Sequence, residues 1–213
     1  MAHAPQAERR REQRRQVRRA VLDATEALLL ADGVERFSIR RLVERCGYSA
    51  PTIYHHFGGK NGLLDALLEE RFQKLFRRLR RVPRGDDPVA YLREAARTFV
   101  RFGLRHPRHY QVLSLPQKTE SPPPQSIEES REMLERPWVE LWEEGRLRAG
   151  EVESAGQALW ALAHGLIVLL SSRPGHPWSK TVIDDSIDAL LRGLVAPPPA
   201  KRPKRGPRTE GST

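Results

Sequence analysis

The chain has 213 residues with a single cysteine, two methionines and only 7% aromatic residues. One cysteine, Cys46, excludes an intrachain disulfide framework and suits a reducing compartment. The first 19 residues are arginine-rich, with no apolar core behind a small-residue cleavage site, so no signal peptide is expected. The most apolar run, residues 158–170, is interrupted by His164 and is too short to span a bilayer. A soluble, cytoplasmic protein with no membrane partner is therefore expected. No segment alternates strictly between apolar and polar residues, and no internal repeat is visible, which leaves nothing to argue for strands.

Charge is plentiful and uneven. The net formal charge is +10, of which residues 1–81 carry +8, residues 82–195 carry −2 and residues 196–213 carry +4. A basic front end on a near-neutral body is the charge pattern of a polyanion-binding module joined to something else.

Periodicity defines a run of helices. Val17, Ala20, Val21, Ala24, Leu28 and Ala31 recur at three- and four-residue spacing over residues 14–31, and Asp32-Gly33 supplies the stop. Ser38 caps a short second helix with Ile39, Leu42 and Val43 facing inward, ended by Gly47. Ser49 caps a third, with Ile53 and Phe57 on its buried side. Residues 60–81 form a fourth. Beyond the 83–88 loop, helices are expected at 88–106, 107–115, 126–144, 152–172 and 179–195, with Pro137 inside one and a proline-rich loop at 116–124. The fold class is all-α.

Two short helices around a glycine turn suit a helix-turn-helix, in which one helix braces against the DNA backbone while the next presents its N-terminal residues to base edges. Ser38, Ser49 and Lys60 stand at helix starts, where phosphate oxygens are welcome. Small residues Ser49, Ala50 and Pro51 let the third helix approach a groove closely. Thr52, Tyr54, His55 and His56 point away from the Ile53/Phe57 side. Arg40 and Arg41 are long donors of the kind that read guanine. His55 and His56 diverge by about 100° on a helix and cannot converge on one ion by themselves, so no metal or cofactor site is expected. The carboxylates of 128–144 spread along helix faces without convergence, so no catalytic site is expected either.

Residues 16–75, and above all Gly47-Tyr48-Ser49-Ala50-Pro51-Thr52-Ile53-Tyr54-His55-His56-Phe57 followed by Lys60 and Leu63-Leu64, resemble the N-terminal domain of the tetracycline-repressor-like (TetR/AcrR) transcriptional regulators. That resemblance implies base-edge roles for Arg40, Ala50, Pro51, Thr52 and His55, and phosphate roles for Ser38, Tyr54, His56 and Lys60. Tyr48 departs from the small aliphatic residue usual at its position. Trp160 and His164-Gly165, with His106-Pro107 and Tyr110, resemble the Trp-x-x-x-His-Gly subgroup's C-terminal domain. Regulators of this kind use that domain for effector binding and dimerisation.

The expected layout is a disordered basic arm over 1–13, a helix-turn-helix domain over 14–59, a connecting helix over 60–82, an effector-binding and dimerisation domain over 83–195, and a disordered basic tail over 196–213. Phe99, Phe102, Tyr110, Met133, Trp138 and Trp142 are pocket candidates for a largely apolar small molecule. Trp160 reads either as pocket wall or as plain core, and His164 as a polar handle or a satisfied core imidazole. Slim residues Gly156, Ala161, Ala163 and Gly165 favour close approach, so the last two helices are expected to build a symmetric dimer interface. The functional expectation is a ligand-responsive repressor that binds a pseudo-palindromic operator in double-stranded DNA as a homodimer. The alternative is a sequence-neutral DNA-coating or scaffold protein that uses its basic ends.

Overall fold

A computed structural model of the chain describes residues 4–114, 125–148 and 150–198. The proline loop expected at 116–124 and the basic tail beyond residue 198 lie outside the described residues. Among those described, nine α-helices follow one another: α1 (Ala4–Asp32), α2 (Ile39–Cys46), α3 (Ala50–Phe57), α4 (Lys60–Leu79), α5 (Pro88–Arg105), α6 (Pro107–Leu113), α7 (Gln125–Glu143), α8 (Val152–Ser172) and α9 (Val182–Leu194). Their extended pairing is limited to one isolated antiparallel bridge between Leu147 and Val195, which pins the end of α9 beside the segment after α7. The all-α expectation holds.

The first helix differs from its expected start. The structure has helix from Ala4 where a disordered arm was expected over 1–13. Residues 6–13 are Gln-Ala-Glu-Arg-Arg-Arg-Glu-Gln, good helix formers with no glycine or proline, and they simply continue the helix that the apolar face nucleates further along. The second difference concerns α8. The helix runs for 21 residues and is long and apolar enough to cross a membrane by composition, where the 158–170 run suggested it was too short. Ala155, Leu159, Ala163, Leu166 and Ile167 bury one side of it in the C-terminal core.

Three apolar clusters organise the packing. Val21, Leu22, Leu28, Leu29, Phe37, Leu42, Ile53, Phe57, Leu63 and Leu67 form the core of the N-terminal domain. A larger cluster joins α5, α7, α8 and α9 through Leu92, Val100, Trp138, Leu141, Ile167, Ile187 and Leu191. Between them, Leu75 and Leu79 of α4 meet Tyr91, Ala95 and Phe102 of α5. Burying each such side chain is worth roughly 1.5–3 kcal/mol.

The long helix α4 is tied to α1 by charge as well. Arg71 is only 1% exposed, yet its guanidinium donates to Glu26 at 2.9 and 2.5 Å, to Asp23 at 2.9 Å and to Glu70 at 2.6 Å. A buried cation this well surrounded keeps its charge, and removing any one acceptor would leave it short of partners. The carboxylates hold its pKa above the ordinary arginine value although burial opposes them.

Helix α6 faces both domains. Val112 belongs to the N-terminal core, whereas Tyr110, two residues earlier and so on the other side of the helix, belongs to the C-terminal one. His109 brings its Nε2 within 4.0 Å of Glu26 on α1. Tyr110 joins its hydroxyl to Nδ1 of His164 on α8 at 2.9 Å.

Candidate DNA-binding interface

Local chemistry sets up the two short helices. Ser38 has extended backbone and its Oγ accepts from the Arg41 amide at 3.4 Å, capping α2. Gly47 closes α2 at φ 72°, a left-handed conformation that a side chain resists, and its amide donates to the Val43 carbonyl. Two residues later Ser49 caps α3, accepting from the Thr52 amide at 3.4 Å, with Pro51 in the first turn. The Ser49 and Thr52 hydroxyls also share a hydrogen bond at 2.9 Å.

The fixed angle of α3 comes from its far end. Ile53 is fully buried and Phe57 8% exposed, which anchors one face in the N-terminal core. A Cβ built on Gly62, in the first turn of α4, would stand 2.1 Å from the Phe57 carbonyl oxygen, so this close approach of α3 to α4 requires glycine. The Lys60 ammonium donates to the Phe37 carbonyl at 3.0 Å and lies 5.7 Å from the centre of the Phe37 ring, which ties the start of α4 to the loop before α2. Its expected phosphate role must therefore use its remaining donors.

The opposite face of α3 is open. Pro51, Tyr54 and His55 are exposed, Tyr54 by 52%, while Ala50, Thr52 and His56 are half-buried. The two arginines of α2 divide. Arg40 extends into solvent, held only by Glu44 one turn along at 3.3 Å. Arg41 is committed inward, to Asp32 at 2.8 Å and to the Arg36 carbonyl at 3.2 Å, and so braces the domain where base reading was one expectation. Cys46 and Tyr48 are half-buried against the same core.

The field at this face is positive. Burial lowers the pKa of His56 below its ordinary 6.5, and His55, Arg14 and Arg18 lower it further. Arg18 also places its guanidinium carbon 5.1 Å from the centre of the Phe57 ring. The i, i+4 spacing of Arg14 and Arg18 on α1 is visible in the sequence, whereas their proximity to α3 is set only by the packing of the two helices.

The candidates for an effector site separate into four places. Phe99, Tyr110 and Trp160 gather around His164, with ring centres 5.0, 5.5 and 4.4 Å from the imidazole. Phe102 and Met133 lie in the cluster between α4, α5 and α7, and Trp138 in the C-terminal core. Trp142 and Trp160 are at the surface, 58% and 63% exposed, so Trp160 is not plain core. The reason is helical phase: Leu159 points inward, and one residue on, about 100° of rotation turns Trp160 outward. Burial alone lowers the pKa of His164.

A capped two-helix unit with a rigidly held, exposed and electropositive second helix, joined to a larger helical body, defines a helix-turn-helix DNA-binding regulator. Residues 21–67 match the bacterial regulatory proteins of the tetR family, and residues 92–194 match the tetracyclin repressor-like C-terminal domain. The chain belongs to the tetR family.

The tetracycline repressor protein class A from transposon 1721 of Escherichia coli is 42% identical over 69 residues, a segment that covers 32% of this chain and 29% of that repressor. The similarity to such curated relatives thus spans less than a third of their length. Native NalD, described as the secondary repressor of the MexAB-OprM multidrug efflux pump in Pseudomonas aeruginosa, shares 25% identity at a TM-score of 0.62, covering 86% of this chain and 98% of NalD. A TetR family transcription regulator from Marinobacter aquaeolei VT8 shares the fold at a TM-score of 0.71 and 19% identity, covering 88% of this chain and 98% of that one.

Proposed function

We propose that the chain is a cytoplasmic, ligand-responsive repressor that binds a pseudo-palindromic operator as a homodimer. The carrying observation is the open face of α3, where Pro51, Tyr54 and His55 are exposed and Thr52 is half-buried, on a helix that the core fixes through Ile53 and Phe57. In this reading Arg40, Ala50, Pro51, Thr52 and His55 meet base edges, Ala50 by apolar contact. Ser38, Ser49, Tyr54, His56 and Lys60 hold phosphates, the capping serines donating outward through hydroxyls whose oxygens already accept backbone amides.

The dimer reading is supported by the outer side of α8, where Trp160, Val168 and Leu169 are exposed at 63%, 52% and 44%. A second copy would cover this apolar face and set two α3 helices in successive major grooves, about 34–36 Å apart or a multiple of that. Repression is further supported by the relatives, among them the tetracycline repressors and NalD.

Ligand response is supported by α6. An apolar effector entering beside Phe99, Tyr110 and His164 would disturb the Tyr110–His164 hydrogen bond, and Val112 and His109 on the same helix touch the N-terminal domain. To change operator occupancy tenfold, the effector must favour one conformation by about 1.4 kcal/mol.

The test is repeated selection of duplexes from a randomised pool, followed by titration with Tyr54→Ala. A two-fold related consensus is expected, with at least tenfold weaker binding by the variant and an unchanged melting temperature. Recovery of no consensus, with equal affinity for all duplexes, would establish sequence-neutral coating instead.

A further inference from the structure

About three turns of α1, residues 6–16, cover nothing. Residues 6–16 are all exposed, and the inward-facing residues of the helix begin only with Val17. A helical segment that buries no apolar surface contributes nothing to the core, so its shape and charge must be read for another purpose.

Its charge is arranged. Between residues 4 and 19 the helix carries seven arginines against Glu8 and Glu12. Arg11, Arg14 and Arg18, at i, i+3 and i+7, lie within about 60° of one another around the helix, whereas Glu8 and Glu12 fall on its flank. Glu12 is within 3.6 Å of Arg15 and Asp23 within 3.8 Å of Arg19, so those arginines are partly neutralised. Arg11 and Arg14 have no ion-pair partner among the described residues. The same stripe has a fixed direction, because Arg18 rests on the Phe57 ring of α3 and both Arg14 and Arg18 act on His56. The Arg11, Arg14 and Arg18 stripe is therefore on the side of the recognition helix, whereas Arg9, which also has no ion-pair partner among the described residues, is turned away from it.

We propose that the N-terminal turns of α1 form a rigid phosphate-tracking rail, which carries the contact with duplex DNA beyond the bases that α3 reads. This rests on the DNA-binding reading above and adds a second, sequence-independent surface to it. At 1.5 Å per residue, the rail from Arg18 back to Arg11 extends about 10 Å, the distance over which a duplex offers several phosphates on one strand. Like charges three and four residues apart oppose the helix when it is free, and a polyanion removes that repulsion. The partner is the DNA flanking each recognised half-site, held by charge and not by base edges.

The experiment compares the unsubstituted chain, the double variant Arg11→Gln/Arg14→Gln and the control Arg9→Gln, whose residue lies on the opposite side of α1. Each is titrated over a range of salt against the best duplex from selection and against an unselected duplex of equal length. The double variant should lower the slope of log K against log salt by about 1.8 per subunit, near 0.9 for each phosphate that is no longer neutralised. It should do so on both duplexes, leave the ratio of their affinities unchanged and shorten the footprint at its outer edges, while Arg9→Gln changes none of these. An unchanged slope in the double variant, or an equal loss with Arg9→Gln, overturns the rail. Absence of any preference between the two duplexes in the unsubstituted chain would instead overturn operator reading. The slope on the unselected duplex would still decide the rail.

Discussion

His164 is the residue whose surroundings can be read most directly as a solution property. It is half-buried between Phe99, Tyr110 and Trp160, its Nδ1 is joined to the Tyr110 hydroxyl, and burial pushes its pKa below the ordinary 6.5. His109 and His106 shift the same way, burial being the largest cause in each. A histidine whose folded pKa is depressed is neutral in both states above the ordinary value, so it adds no pH dependence there. Below that value the unfolded chain takes up a proton that the folded chain refuses, and stability falls as the pH drops. The melting temperature should therefore decline between about pH 7 and about pH 5, and decline less in His164→Asn, which keeps a hydrogen-bonding partner for Tyr110. Equal declines in the two proteins would show that this imidazole does not contribute. The sequence showed Trp160 and His164 on one helix face; it could not show that one would be in solvent and the other half-buried.

At the scale of the element, the recognition unit was legible because its determinants are local. Ser38, Gly47, Ser49 and Gly58 act within a turn of where they stand, as the caps of α2 and α3. The three-residue spacing of Ile39 and Leu42 in α2 and the four-residue spacing of Ile53 and Phe57 in α3, against polar neighbours, mark the buried faces in the sequence. Gly62 is different, since its role depends on how two helices meet. A methyl group there would press on the Phe57 carbonyl oxygen, so Gly62→Ala should force α3 and α4 apart by adjusting backbone and not merely a side chain. Its expected cost is about 1–3 kcal/mol of stability, the usual penalty of overpacking. Operator affinity should fall at least tenfold while the chain remains helical by circular dichroism. Wild-type affinity in Gly62→Ala would mean that the α3–α4 angle does not govern recognition. The start of α1 lies earlier than its composition suggests for a related reason: a polar segment's helicity depends on the helix it extends.

For the whole molecule the consequential surface is the outer face of α8. Its inner residues pack on α5, α7 and α9, and its outer residues Trp160, Val168 and Leu169 are exposed within one chain. Apolar exposure of this kind marks an interaction site more often than it marks chance. Leu169→Arg should leave the fold intact, shift the sedimenting species from dimer to monomer at micromolar concentration and weaken operator binding by an order of magnitude or more. A variant that still sediments as a dimer would place the interface elsewhere. The sequence by itself determined the helices apart from the start of the first, their caps and the order of the two domains, because those follow from residues within a few positions of one another. Only the tertiary structure decided that Arg71 would be buried among carboxylates up to 48 residues away, that Tyr110 would reach His164 54 residues on, and that one side of α8 would be left uncovered. Burial and charge pairing are properties of surfaces brought together by folding, and no local pattern encodes which surfaces those are.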